Sequence, residues 1–198
     1  MSTLEHSCTT GEHINENEKE LRIVEKSVTR TLRLETSLDE ELTRRAKHEH
    51  VSVNFLVSKC LQKYVEWDIP SVEFGMVSVS RDLLRKPFGD LDDQKIERYG
   101  RENARNYFKV VTEILRGEFT EATAIEVIRR VGVHGKRYEF NVEEAENDHF
   151  RRLVVRHDDG FPMSKFYAAM ADELFHVLLR KETKISTTNS LCVVVIET

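Results

Sequence analysis

Residues 28–66 carry a wide apolar stripe on a piece of chain too short to bury it. Val28-Thr29-Arg30-Thr31-Leu32-Arg33-Leu34 is rich in β-branched residues and roughly alternates. That pattern predicts a strand with Leu32 and Leu34 on one face and Thr29, Thr31 and Arg33 on the other. Ser37-Leu38-Asp39-Glu40 then reads as a capping box, in which serine and glutamate satisfy early helix amides. Leu38, Leu42 and Ala46 recur at intervals of four and predict a helix, broken at His48-Glu49-His50. A second helix is predicted from about Ser52, with Val53, Leu56, Val57, Cys60, Leu61 and Tyr64 on its apolar side. Its stripe runs on to Val65 and Trp67 before Pro70 is expected to end it. One strand and two short helices cannot bury enough surface to stand alone. Two copies can, if their strands pair antiparallel and their second helices cross.

This order resembles the ribbon-helix-helix family of DNA-binding transcription regulators (Arc/MetJ/CopG-like). Leu32, Leu34, Leu38, Leu42, Ala46, Val53, Val57 and Leu61 fall on the family's core positions with no gap, and Ser52-Val53-Asn54 matches its second-helix entry. His50 stands where the family often has a glycine in the left-handed conformation. The resemblance implies a homodimer or higher even oligomer that lays a two-stranded ribbon in the major groove of double-stranded DNA, as a repressor does. Thr29, Thr31 and Arg33 would then face the bases: arginine can donate two hydrogen bonds to guanine, and threonine can bond polar edges or touch a thymine methyl. Ser52, Val53 and Asn54, at a helix N-terminus, would hold a phosphate.

Charge follows the same division. Residues 1–27 hold six acidic side chains against Lys19, Arg22 and Lys26, and their lack of apolar period predicts a disordered acidic tail. Residues 28–66 carry seven basic and six acidic side chains, the only basic-leaning stretch in a chain of net charge −5. Global acidity argues against non-specific coating of nucleic acid, while one charged face can still bind DNA. Cys8, Cys60 and Cys192 are odd in number and far apart, which excludes a disulfide framework or a cysteine-rich zinc site and fits a reducing, cytoplasmic setting. No apolar run approaches the ~18 residues of a membrane helix, and no secretory leader is apparent.

The organisation expected is therefore a tail (1–27), a ribbon-helix-helix module (28–69) and an α+β domain (70–198) for dimerisation or ligand sensing. In the last, Val72–Ser80 is a candidate strand and Arg81–Lys86 one helical turn. Helices are expected over Asp92–Arg116 and Glu121–Arg130 and from Pro162, with strands at Tyr138–Val142, Phe150–Arg156, Lys184–Thr187 and Leu191–Ile196. Counting Val72–Ser80, the order is the βαββαβ of ferredoxin-like folds, as in the domain that nickel-responsive regulators join to a ribbon-helix-helix module. Without it, the order is helices, hairpin, helix, hairpin around a small, largely antiparallel sheet. That resembles ligand-binding domains of the vinyl-reductase type, whose signature cysteines are missing here. Arg152–Pro162, with Ser164 after it, also resembles the tails of uncharacterised archaeal regulators.

No GxGxxG, P-loop, HExxH or GxSxG occurs, so neither an enzyme nor a cofactor is expected. Histidines 134, 149, 157 and 176, with Asp158, Asp159 and Cys192, are chemically suited to a transition metal, but none pair at i,i+4 and no metal site is assigned. His157 is expected to cap the helix that follows it, and His176 to face solvent. Tyr107, Phe108, Tyr138, Phe140, Phe166 and Tyr167 suit a core better than a pocket. An unidentified small-molecule or metal effector stays open as a partner. The competing function is a protein-interaction or antitoxin-like module that dimerises without specific DNA binding. The antitoxin form fits poorly, since about 130 folded-looking residues follow the module where a short tail is usual.

Overall fold

The computed structural model describes residues 28–144 and 150–197. The acidic tail, with its His6, Cys8 and His13, lies outside the described residues, as do residues 145–149 between the strands expected at Tyr138–Val142 and Phe150–Arg156. Residues 28–35 lead into the first helix, α1 (Thr36–Glu49), exposed and without regular structure. The strand expected at 28–34 is thus not formed in the single chain. With no neighbour to complete a ladder, its amides and carbonyls stay with water. The capping box expected at Ser37 is also not made: α1 starts earlier, with Glu35 at its cap and no side-chain cap bond. Its first turn is exposed, so water can serve those amides.

Helix α2 (Val53–Lys63) does not stop at Pro70. It widens into a π-helical turn, Tyr64–Asp68, and re-forms as α3 (Ile69–Glu73), with Pro70 in the opening turn. The wide turn has already interrupted the regular bonding, and proline has no N–H to lose there. The boundary expected at 69/70 therefore falls inside continuous helix. Trp67 seats this stretch against α7 (Glu121–Gly135), where a Cβ on Gly135 would lie 3.1 Å from the indole. Glu66 meets His134 at 3.4 Å on the same contact.

Val72–Ser80 is not a strand. Its first residues end α3, and Val77 and Val79 alternate with no sheet edge beside them to pair with. The ferredoxin-like order therefore does not form. After α4 (Arg81–Gly89), α5 (Asp93–Asn103) passes through a π-helical turn, Ala104–Phe108, into α6 (Lys109–Arg116). Then come α7, the hairpin β1 (Glu139–Glu144) and β2 (Phe150–Arg156), and α8 (Phe161–Ala171), which continues π-helically over Asp172–Leu178. The hairpin β3 (Thr183–Thr187) and β4 (Leu191–Glu197) ends the described chain. The class is α+β, with the element order helices, hairpin, helix, hairpin.

The sheet runs β1-β2-β4-β3, antiparallel throughout. Register puts Phe140, Val155, Cys192 and Thr187 in one row, and Val142, Leu153, Val194 and Ile185 in the next. Leu153, Val155, Cys192 and Val194 from these rows are buried in the same core as Met163, Tyr167, Met170 and Leu174 of the last helix. Cys192 is enclosed there, and burial pushes its thiol up to about 12, so it stays protonated. Phe108, Tyr138 and Tyr167 are core residues, and the Tyr138 and Tyr167 rings meet edge-on at 5.4 Å.

His157 does not serve merely as a cap. It is buried at the end of β2, and its Nδ1 accepts the Asp159 amide at 3.2 Å. Its Nε2 lies 2.9 Å from Ser164 Oγ, and that hydroxyl lies 2.6 Å from the Thr188 carbonyl. A carbonyl only accepts, so Ser164 donates to Thr188 and receives the Nε2 proton of a neutral imidazole. The pair ties the β2–α8 turn to the β3–β4 turn.

Two measurements test this packing. Gly100→Ala on α5 would put a methyl 2.6 Å from the Phe166 carbonyl oxygen, where backbone must move. It should destabilise the chain by roughly 1–3 kcal/mol in urea unfolding, and an unchanged midpoint would contradict the helix crossing. Burial also holds the His157 imidazole below its ordinary 6.5, against opposing pulls from Asp159 and Asp158. The unfolded chain takes up this proton at higher pH than the folded one. The stabilisation is therefore complete above about 6.5 and lost as pH falls from there toward the folded value. Unfolding wild type and His157→Gln at pH 7.5 and pH 5.5 should show a pH-dependent increment in the wild type that the variant lacks.

Candidate nucleic-acid interface

Helices α1 and α2 meet through a three-residue turn whose first residue decides its geometry. His50 sits at φ 55° and ψ 39°, in the left-handed region. The amide of Val51 can then reach back to the Ala46 carbonyl at 3.0 Å, and that of His50 to Lys47 at 3.3 Å. Histidine thus takes the conformation that glycine adopts more readily. Ser52 caps α2, its Oγ accepting the Phe55 amide at 3.1 Å. Its hydroxyl is therefore committed inside the protein. The amides of Val53 and Asn54 find no acceptor among the described residues, and they open the positive end of the helix.

Thr29, Thr31 and Arg33 are exposed on the segment before α1, with no hydrogen bond or ion pair among the described residues. No such bond joins them to Ser52, Val53 or Asn54 either, so the single chain presents two separate groups. Sequence reasoning did not single out the module's other cations. Arg44 pairs with Glu41, and Arg45 with Glu49 at 2.7 Å. Arg30, Lys47 and Lys59 form no ion pair among the described residues, which adds three uncompensated charges to that of Arg33. Only a fold separates them from Arg44 and Arg45, because the residue types are the same.

The apolar stripe is only half covered. Ala46 and Leu56 are buried between α1 and α2. Leu32, Phe55, Leu61, Tyr64 and Val65 each keep more than half of their surface exposed. Such a run of large apolar side chains is unusual on a free surface and marks a place for apolar contact.

Elsewhere, His176 faces solvent and its Nδ1 donates to the Lys181 carbonyl at 3.1 Å. Among the described residues no three His, Cys, Asp or Glu side chains gather as a metal site would need. No described helix is long and apolar enough to cross a membrane.

A non-glycine residue held in the left-handed region costs about 1–2 kcal/mol. His50→Gly should therefore raise the unfolding free energy by about 1 kcal/mol with unchanged helix content by circular dichroism. A neutral or destabilising result would mean that the imidazole has a compensating contact.

No protein-family model, curated protein or solved structure matches this chain at a significant level.

Proposed function

We propose that this protein is a dimeric, sequence-specific DNA-binding transcription regulator of the ribbon-helix-helix kind, with its α+β half adding dimer contacts or sensing a ligand. The observation that supports it most is the uncovered apolar stripe. Leu32 and Leu34 alternate with Thr29, Thr31 and Arg33 on an exposed segment without regular structure and without a partner strand, and Leu61, Tyr64 and Val65 lie exposed along the second helix. A second copy would cover the leucines, complete the strand ladder and turn the threonines and arginine outward as one surface. Uncompensated Arg30, Arg33, Lys47 and Lys59 would meet phosphates, and the open amides of Val53 and Asn54 would hold one.

Dimerisation without DNA binding is the competing function, since the stripe alone would serve it. Selecting bound sequences from random duplex DNA, with light scattering on the free protein, separates the two. The expected outcome is a dimer that enriches a motif and whose affinity falls steeply with salt. A dimer that enriches nothing would leave only the interaction module, and a stable monomer would remove both.

Arg33→Ala should then cost roughly 1–3 kcal/mol of specific binding and relax preference at one base position while the dimer stays intact. Fluorescence anisotropy on the selected duplex and on single-base variants reads this, and unchanged preference would remove Arg33 from the reading face.

A further inference from the structure

Three cations from three elements converge on one open pocket beyond the end of α7. Its volume is about 290 Å³, at the small end of the roughly 300–1,000 Å³ typical of ligand sites, and Arg81, Lys136, Arg156, Tyr138, Glu139 and Asp158 line it. Gly132 forms part of its wall because α7 lies so close to Tyr138 that a Cβ there would be 2.9 Å from the ring. His157 closes the back and offers no free nitrogen, both being occupied by Asp159 and Ser164.

The charges in this corner are not well spent on each other. Arg81 reaches Asp158 at 3.3 Å and Arg156 reaches Glu139 at 4.0 Å, both pairs largely in solvent, where such contacts contribute little. Lys136 has no carboxylate partner among the described residues. With Arg85, which bonds the Asp158 carbonyl, four cations stand against Glu139 and Asp158 here, in a chain whose net charge is −5. Lys136 is also held at φ 51°, in the left-handed region, where a lysine is a strained choice. Glycine would fit that turn better, yet an ammonium stands at the mouth of a cationic pocket.

We propose that this pocket binds a small oxyanion, a carboxylate or a phosphate, between Lys136, Arg156 and Arg81, with the body of the ligand against Tyr138. The two loose pairs exchange their exposed carboxylates for the ligand's oxygens, and Lys136 gains the partner it lacks. Arginine forks suit both carboxylate and phosphate geometry. The proposal does not rest on DNA binding, because the pocket takes no residue from 28–69, although Lys136 also borders the groove between α7 and the first two helices.

Calorimetric titration and thermal unfolding of the full-length protein test it. Inorganic phosphate and succinate serve as probes, with sodium chloride at matched ionic strength as the control. The expected result is a concentration-dependent rise in Tm with at least one probe beyond that in chloride. Phosphate alone acting assigns a phosphorylated ligand, and succinate alone a carboxylate. Lys136→Gly should fold at least as stably as wild type, since it relieves the positive φ, yet lose affinity by about tenfold or more. Arg156→Met should lose affinity similarly, whereas Lys184→Met, which removes a pair with Glu197 on the far hairpin, should bind as wild type does. No stabilisation beyond chloride, or equal affinity in all three variants, would overturn the proposal.

Discussion

At Gly100, helix α5 comes so close to α8 that a side chain of any size would strike the Phe166 carbonyl. A few residues further along, Arg105 grips both oxygens of Glu173, whose side chain is otherwise sealed from solvent. Both partners lie in π-helical turns, one in each helix, so the widened turns face each other across the crossing. A carboxylate so enclosed is tolerable only with its partner in place. The sheet packs on α8, and Ser164 of that helix bonds the turn after β2 through His157 and the turn before β4 through the Thr188 carbonyl. The oxyanion pocket lies along the same layer, between the start of α4, the end of α7 and the first hairpin.

The two halves of the chain meet the hydrophobic requirement differently. From α4 onward, helices and sheet close a common core in which Cys192 and Tyr138 are enclosed and Ser164 and His157 satisfy each other. The first two helices bury little beyond Ala46 and Leu56 between themselves. Trp67 and the wide turn around it anchor them to α7 and leave the remaining apolar face outward.

Much of this architecture was legible in the sequence. The alternation of Tyr138, Phe140 and Val142 and the apolar run at Leu191–Ile196 report burial that the structure provides, whereas the apolar side expected over Asp92–Arg116 holds only in part: Ile96 and Val111 are buried, Tyr107 and Leu115 half-buried, and Tyr99 and Ile114 exposed. The failures share one physical origin: a local signal needs a neighbour. Val77 and Val79 alternate like a strand but have no sheet edge beside them, and Val28–Leu34 lacks its second strand within one chain. Ser37 and Glu40 spell a capping box, yet the solvated first turn does not need it. Pro70 does not end the helix, because the π-turn before it has already broken the regular bonding. The oxyanion pocket was invisible for another reason: Arg81, Lys136 and Arg156 come from separate elements and carry no spacing signature. His157 reads in the sequence as a helix cap and Ser164 only as part of a resemblance, and their bond has no signature in residue types seven positions apart.

The segment before α1 is exposed along its whole length, and the packing of the single chain does not use its side chains. Thr29, Thr31 and Arg33 can be exchanged without opening a cavity or orphaning a polar group in the folded monomer. Selection on these three positions is thereby uncoupled from selection on foldability. With these residues as the proposed reading face, copies of such a gene would diverge in what they recognise while every core position stayed under the same restraint. Change would concentrate in three alternate codons just before α1.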